Sequence, residues 1–219
     1  MNSPMLQLLV LAGIAVFLIL RLKNVLGTRE GYEKPPAPPQ GRQTTERRGF
    51  EVIEGGPDRD IIDHVPEGSD SARALSQMKQ AEPSFGVADF LSGARGAYEM
   101  ILMAFERGKL DEIEPFLAPD VYDSFAEVVE AREAQGLTIE AEFVGVRELT
   151  LTEATFDTTT RMAEITVRYV GELTQVVKDA EGNVVEGSAS QVKRQKDVWT
   201  FARTMGADDP NWQLVATGE

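Results

Sequence analysis

The hydrophobic pattern of this chain changes period at Gly136, and this change most narrows the folds that the chain can adopt. Before Gly136, apolar residues recur every three or four positions, as they do along one face of a helix. After it, apolar and polar residues alternate, as they do in a strand with one buried face. Helices followed by strands are typical of an α+β domain, in which the helices cover one face of an antiparallel sheet. We predict this fold for residues 85–219.

Two main helices are predicted before the change of period. The first ends at Gly108, and its apolar residues lie on one face: Phe90, Leu91, Ala94, Tyr98, Ile101, Leu102 and Phe105. The second begins at Pro119, a residue well suited to the first turn of a helix. Gly93 and Gly96 lie inside the first helix, where each costs about 1 kcal/mol relative to Ala. We therefore expect another backbone to pack closely against them.

Four strands are predicted after Gly136. The first shifts its alternation at Gly145, which predicts a bulge. The segment DAEGN, between two pairs of valines, predicts a hairpin loop, and ADDPN predicts a turn before the last strand. Alternating residues mark the second, third and fourth strands: Ile165, Val167 and Tyr169; Trp199, Phe201 and Arg203; Trp212, Leu214 and Ala216.

The N-terminal segment predicts a transmembrane anchor over residues 1–26. Met5–Leu20 is apolar except for one Gln, and as a helix it is roughly 24 Å long at about 1.5 Å per residue. The side chains of Arg21 and Lys23 can extend to the interface of a bilayer core about 30 Å thick, and we expect Arg21, Lys23 and Arg29 at that interface. Basic residues follow the run and do not precede it, which argues against a cleaved signal peptide and predicts a cytoplasmic domain.

Residues 27–84 predict a flexible tether. This segment is rich in Pro, Gly and charge, as in KPPAPPQG and EGGPDRD, and has no sustained apolar period. Two pieces, DIIDHV and the stretch from Ser69 to Ala81, are candidate short binding elements, and Ser69 or Asp70 can cap the second as a helix. We expect the helicity of these pieces to be incidental.

Composition excludes several classes of function. The formal net charge is −14, and no stripe of Lys and Arg alternates with aromatic residues, so we expect no binding to nucleic acid and favour basic or apolar protein partners. The chain has no Cys, and its one His, His64, lies in the predicted tether. The domain therefore has no side chains for a Cys nucleophile, a His-based triad or a His- or Cys-ligated metal. We predict a non-enzymatic domain with no catalytic residue, metal or cofactor.

Nine aromatic residues of the domain are the candidates for a pocket or a partner-binding surface: Phe90, Tyr98, Phe105, Phe116, Phe125, Phe143, Tyr169, Trp199 and Trp212. A filled core explains them most simply. The alternative is an apolar cavity between the helices and a curved sheet, suited to an acyl chain or an apolar peptide side chain. An isomerase or dehydratase hypothesis also stays open, based on carboxylate and tyrosine chemistry at Asp120, Asp123, Tyr98, Tyr122, Asp157 and Asp197.

Four blocks of sequence together resemble the Tim44-like domain family, particularly its alphaproteobacterial TimA-type members: FLSGARGAYEMILMAFERG, VYDSFAEVVEAREAQG, VVEGSASQVKRQKDVWTFAR and DPNWQLVAT. The resemblance covers about Phe85 to Thr217. It implies helices on a curved antiparallel sheet, similar to the cone of nuclear-transport-factor-two-like proteins, with a large apolar pocket. It also implies a bacterial inner-membrane protein whose domain faces the cytoplasm.

The resemblance implies partners as well. The mitochondrial relatives tether a chaperone of the seventy-kilodalton heat-shock class to a protein-import channel, and they bind anionic lipid through helices that correspond here to Val87–Phe105 and the helix after it. We therefore predict a membrane-anchored, non-enzymatic adaptor or scaffold linked to protein translocation or to assembly of membrane-protein complexes, with membrane or chaperone proteins and the lipid bilayer as partners. A module that binds lipid or a small apolar ligand is the alternative.

Overall fold

The computed structural model describes residues 58–218, and within this range the predicted order of helices before strands is confirmed. The helices are α1 (Arg59–Ile62), α2 (Asp70–Ala81), α3 (Val87–Glu106) and α4 (Pro119–Ala134), with 3₁₀ turns at Leu110–Glu112 and Glu114–Phe116. The strands are β1 (Thr138–Phe156), β2 (Met162–Lys178), β3 (Val184–Thr204) and β4 (Gln213–Gly218).

The predicted membrane anchor lies outside the described residues. The same holds for Arg21, Lys23 and Arg29, and for the predicted tether as far as residue 57. Within residues 58–218, none of the helices combines the length and the apolar character needed to cross a membrane.

The four strands form one antiparallel sheet in chain order, β1-β2-β3-β4. The predicted bulge is present: Phe143 pairs with Leu173 and Gly145 with Glu172, so Val144 has no partner on β2. Two further register shifts follow in β1. Each bulge adds a residue to one strand and increases the local twist, which curves the sheet around the helices.

The core lies between α3 and the face of the sheet that the helices cover. Tyr98 of α3 stacks on Tyr169 of β2, and the hydroxyl of Tyr169 donates to the carbonyl of Ala94 at 3.2 Å. The strands contribute alternate residues that are at most 3% exposed: Ile165, Val167, Tyr169, Leu173, Trp199 and Phe201. Helices packed on a curved antiparallel sheet are therefore the observed architecture, as predicted.

Residues 58–84 differ from the predicted tether, because α1 and α2 are parts of the folded core. Leu75 and Met78 of α2 are both 0% exposed, and Ser71 accepts a hydrogen bond from the backbone N–H of Ala154 in β1 at 3.0 Å. The predicted cap is confirmed, since Ser69 accepts from the N–H of Ala72 at 3.1 Å. Tertiary packing thus orders a segment whose sequence has only a short apolar pattern.

The first of these helices also caps α3. Asp60 accepts hydrogen bonds from the N–H groups of Val87 and Ala88, at 2.8 and 2.9 Å. Lys79 lies 2.7 Å from both Asp58 and Asp60. A helix N-terminus has unpaired N–H groups and favours a negative charge, so Asp60 supplies the cap that the residue before α3, a glycine, cannot.

The prediction about Gly93 and Gly96 was wrong. Both are exposed on α3, and an added Cβ would meet nothing within 4 Å at either position. The close approach lies instead at Gly171 of β2, where the hydroxyl oxygen of Tyr98 would be 2.5 Å from an added Cβ. The stack of Tyr98 on the sheet therefore depends on a glycine in the strand beneath it.

Candidate functional site

An open groove lies between the N-terminal half of α3, the end of β3 and the loop before β4, and we call it the aromatic groove. Its volume is about 530 Å³, and apolar surface predominates in its lining. The ring of Trp212 lies 4.7 Å from that of Phe90 and 6.1 Å from that of Phe85, between ring centroids. Gly93, which has no side chain, lies on the side of the groove formed by α3. Further apolar lining comes from Ala94, Ala97, Met100, Phe116 and Phe201.

An ion pair fixes the rim of the aromatic groove. Arg203 donates to Glu82 at 2.8 Å, and its guanidinium carbon lies 5.3 Å from the ring centroid of Trp212. The N–H of Gly206 also donates to Glu82, at 2.7 Å. Burial by itself would raise the pKa of Glu82, but these hydrogen bonds outweigh it and lower that pKa. Glu82 is therefore ionised at neutral pH, as a partner of Arg203 and not as a proton donor.

A second groove, which we call the acidic groove, lies between α3, the first 3₁₀ turn and β1. Its volume is about 520 Å³. Its charged lining comes from Arg107 and three carboxylates, Glu99, Glu112 and Glu142. Its apolar lining comes from α3, from the residue after the first 3₁₀ turn and from β1: Met100, Met103, Ala104, Ile113 and Phe143. Met100 is 38% exposed and lines both grooves.

The nine predicted aromatic residues are distributed over four places. Phe90, Phe116 and Trp212 line the aromatic groove, and Phe143 lines the acidic groove. The others line neither groove: Tyr98, Tyr169 and Trp199 form one buried cluster, and Phe105 of α3 pairs with Phe125 of α4. The sequence interpretation omitted Phe85 and Phe201, which also line the aromatic groove.

One buried polar contact links α3 to β3. The hydroxyl of Tyr98 donates to Asp197 at 2.5 Å, and Gln195 donates to the same carboxylate at 3.0 Å. Asp197 is 9% exposed, and Tyr98 is fully buried. Burial and the neighbouring carboxylate both raise the pKa of Tyr98, so its hydroxyl keeps its proton and acts as a donor.

A second buried carboxylate, Glu106, ends α3. It is 8% exposed, accepts from Gln175 at 2.7 Å and lies 3.9 Å from Arg132. Burial raises the pKa of Glu106, and Gln175 and Arg132 only partly offset it. Arg132 also donates to the carbonyl of Phe105 at 2.7 Å and lies over its ring. Neither Glu106 nor Asp197 lines either groove.

The remaining candidates for carboxylate and tyrosine chemistry lie at the surface or at the edge of the core. Asp120 and Asp123 are exposed on α4, and Tyr122 is partly buried beside the core. Asp157 is exposed in the turn after β1, where hydrogen bonds from the N–H groups of Thr159 and Thr160 lower its pKa. Within residues 58–218, no cluster of three or more ligating side chains could hold a metal ion.

A family model for the Tim44-like domain matches residues 71–219 of this chain. The chain belongs to the Tim44-like domain family. The match runs from the first turn of α2 to the end of the sequence, and it confirms the resemblance found in the four sequence blocks. Both grooves and both buried carboxylates therefore lie in the Tim44-like domain.

Two further similarities extend the comparison. The human mitochondrial import inner membrane translocase subunit TIM44 is 22% identical over 163 residues, which are 71% of this chain and 35% of the human protein. The chain thus spans about a third of the length of that relative. Among solved structures, the intermembrane space region of the chloroplast protein ARC6 covers 56% of this chain and 88% of its own, with 11% identity and a TM-score of 0.38.

Proposed function

We propose that this chain is a non-enzymatic scaffold linked to protein translocation or to assembly of membrane-protein complexes. In this proposal the Tim44-like domain binds a partner protein through the aromatic groove. The human relative is named as a subunit of an inner-membrane import translocase, which supports a role of the same class here. The observation that carries the proposal is the aromatic groove itself, an open apolar surface on a chain of net charge −14.

The lining of the groove fits an apolar anchor of a partner. Aromatic residues such as Phe116 and Trp212 contribute a large contact area, and binding energy in interfaces concentrates where such residues close around an inserted side chain. Charged groups stand at the rim, where Glu82 pairs with Arg203 and Asp89 is exposed. An apolar centre with a polar rim is the usual anatomy of a protein interface.

The carboxylates favour binding over catalysis. A general acid at neutral pH needs a raised pKa and must reach the substrate. Glu82 lines the aromatic groove, but its pKa is lowered. Glu106 has a raised pKa, but it lines neither groove. The two requirements are thus met by different residues, which supports a scaffold over the isomerase or dehydratase alternative.

We propose the membrane arrangement from the sequence. The apolar run Met5–Leu20 anchors the chain in a bacterial inner membrane, and the basic residues after it keep the domain in the cytoplasm. Residues 27–57 then serve as the tether. Protease treatment of inverted inner-membrane vesicles, whose cytoplasmic face is outside, should digest the domain. Protection of the domain in these vesicles would contradict the orientation.

Two glycines of α3 provide a matched test of the groove. Gly93 and Gly96 are both exposed with free space around them, but only Gly93 lines the aromatic groove. Gly93→Glu therefore places bulk and charge in the groove, whereas Gly96→Glu makes the same change of charge outside it. Both variants should be at least as stable as the wild type, because Glu is a better helix former than Gly.

Affinity purification of the full chain from detergent-solubilised membranes measures how much partner protein each variant binds. Partners recovered with the wild type should remain with Gly96→Glu and fall by about tenfold or more with Gly93→Glu. Equal recovery with Gly93→Glu would refute the groove as the binding site.

The volume of the groove also favours one second candidate, a lipid or small apolar ligand, because such sites occupy about 300–1,000 Å³. Native mass spectrometry distinguishes binding of such a ligand from binding of a protein partner. A retained apolar molecule that is lost with Gly93→Glu, without loss of a protein partner, would favour ligand binding.

A further inference from the structure

The side chain of Arg203, at the rim of the aromatic groove, has a buried hydrogen-bond donor without a partner. This side chain is 7% exposed and lines the groove. In the part of the chain that the structure describes, it donates only from Nη2, to Glu82 at 2.8 Å and more weakly to the sulfur of Met205 at 3.6 Å. Its Nε is shielded from solvent and has no hydrogen-bond partner there.

The ring of Trp212 does not supply the missing partner. It lies over the guanidinium of Arg203, with 5.3 Å between the guanidinium carbon and the ring centroid. A ring in this position attracts the positive charge through its face, whereas the N–H groups of a guanidinium point outward in its own plane. A buried donor without a partner is unfavourable, and most such donors in folded proteins are paired. The Nε–H of Arg203 therefore calls for an acceptor that the described residues do not provide.

The position of Arg203 links this acceptor to the occupant of the groove. Trp212 contacts both the guanidinium and the ring of Phe90, which lies 4.7 Å away between centroids, so the donor and the apolar lining are neighbours. One residue of a peptide supplies both complementary groups, because its main-chain carbonyl lies only a few bonds from its apolar side chain. Since the Nε is shielded from solvent, the acceptor reaches it only when the lining shifts, and we expect Trp212 to move on binding.

The charge of the lining favours an uncharged acceptor. The charged residues that line the aromatic groove are Arg203 and two carboxylates, Glu82 and Asp89. The ion pair with Glu82 already neutralises Arg203, and Asp89 is exposed on a chain of net charge −14. An incoming carboxylate would be repelled by this excess of negative charge. A carbonyl oxygen accepts the same hydrogen bond without that repulsion.

We propose that the aromatic groove binds a segment of a partner protein through an apolar side chain together with an uncharged main-chain carbonyl beside it, which accepts a hydrogen bond from the Nε of Arg203. This inference rests on the proposed function and adds to it the chemistry of the anchor. Glu82 acts as a positioning residue, because it holds Nη2 and is itself held by the N–H of Gly206 at 2.7 Å. A fatty acid is a poorer occupant, since its carboxylate would lie near Asp89.

NMR spectroscopy of the full chain in lipid nanodiscs, with ¹⁵N in Arg and Trp, tests for the carbonyl contact. Three probes share a phenyl ring: N-acetylphenylalanine methylamide has uncharged carbonyls, N-acetylphenylalanine adds a carboxylate, and butylbenzene has no acceptor. The indole N–H resonance of Trp212 should shift with each probe that enters the groove. At equal occupancy, the Nε–H resonance of Arg203 should shift with the methylamide and not with butylbenzene. The acid should bind more weakly than the methylamide.

Three substitutions separate the carbonyl contact from the apolar contact. Arg203→Lys keeps a positive charge beside Glu82 but removes the Nε donor, so it should weaken binding of the methylamide by about tenfold and leave butylbenzene unchanged. Arg168→Lys makes the same change at an exposed position of β2, and it should leave both probes unchanged. Gly93→Glu places bulk in the apolar part of the groove and should weaken binding of both probes.

The outcomes distinguish failure of this inference from failure of the proposed function. If Gly93→Glu weakens both probes but the Nε–H resonance of Arg203 ignores the methylamide, the groove is a binding site and the carbonyl contact is wrong. This resonance is measured on the wild type, so the test does not depend on the folding of Arg203→Lys. No effect of Gly93→Glu on either probe would refute the groove and, with it, this inference. Tighter binding of the acid, or of the acyl ester methyl decanoate, than of the methylamide would overturn the peptide segment in favour of an acyl ligand.

Discussion

Replacing Leu75 with Ala tests whether α2 belongs to the cooperative core. Leu75 is 0% exposed, and α2 is held against β1 by the hydrogen bond between Ser71 and Ala154. Removing a buried Leu side chain costs its transfer free energy plus the energy of the cavity, about 3–5 kcal/mol when the surroundings cannot collapse. Because a sheet lies on one side of the site, we expect a loss of about 3 kcal/mol in the free energy of unfolding.

Urea unfolding of the full chain in detergent, followed by tryptophan fluorescence, measures this loss. Trp199 and Trp212 lie in β3 and the aromatic groove, so they report on the part of the domain most distant from α2 in sequence. With a denaturant slope of about 2 kcal/mol/M, the midpoint should fall by about 1.5 M. Gln77→Ala, at an exposed position of the same helix, should change stability by less than about 0.5 kcal/mol. A tryptophan midpoint that Leu75→Ala leaves in place would show that α2 unfolds separately, and the inference from burial would then fail.

Three further substitutions have expected outcomes. Tyr98→Phe removes a donor from buried Asp197 and should cost about 1.5–3 kcal/mol in urea unfolding; a change below about 0.5 kcal/mol would contradict the contact. In Gly171→Ala the added methyl group collides with Tyr98 and should lower the melting temperature. Gly93→Ala, in contrast, should raise stability by up to about 1 kcal/mol. If Gly171→Ala were more stable than Gly93→Ala, the positions of both glycines would be contradicted. The raised pKa of Glu106 means that its folded state binds a proton more readily than its unfolded state. The wild type should therefore gain stability relative to Glu106→Gln as the pH falls from 7 towards about 4.3, and a constant difference would refute the raised pKa.

The sequence predicts the elements that are defined by local chemistry. Gly108, Pro119 and Gly136 mark helix boundaries because each has a backbone preference that acts within one turn, and the structure confirms all three: α3 ends before Gly108, α4 begins at Pro119 and ends before Gly136. The bulge at Gly145 is likewise visible as a local shift in alternation.

The sequence does not predict features that depend on contacts between distant residues. Asp60 caps a helix that begins 27 residues later, and Glu82 pairs with Arg203 across 121 residues. One signal for α2 was available, because Ala72, Leu75 and Met78 recur at a spacing of three after a capping serine.

The aromatic groove shows the same limit. Its rings come from three separate parts of the chain, and their types alone do not distinguish a groove-lining ring such as Trp212 from a core ring such as Trp199. Exposure is decided by what packs against each side chain after folding. Composition could therefore predict aromatic candidates but could not assign them to a surface.

The cap that Asp60 forms on α3 has a practical consequence for fragments of this protein. A fragment that starts at residue 85, where the helical period begins, would lack Asp60, Lys79 and the whole of α2. One that starts at residue 71, where the family match begins, would regain most of α2 but neither its own Ser69 cap nor the cap on α3. The unit that folds is thus larger than the unit recognised by sequence similarity, and expression boundaries should be set before Asp58.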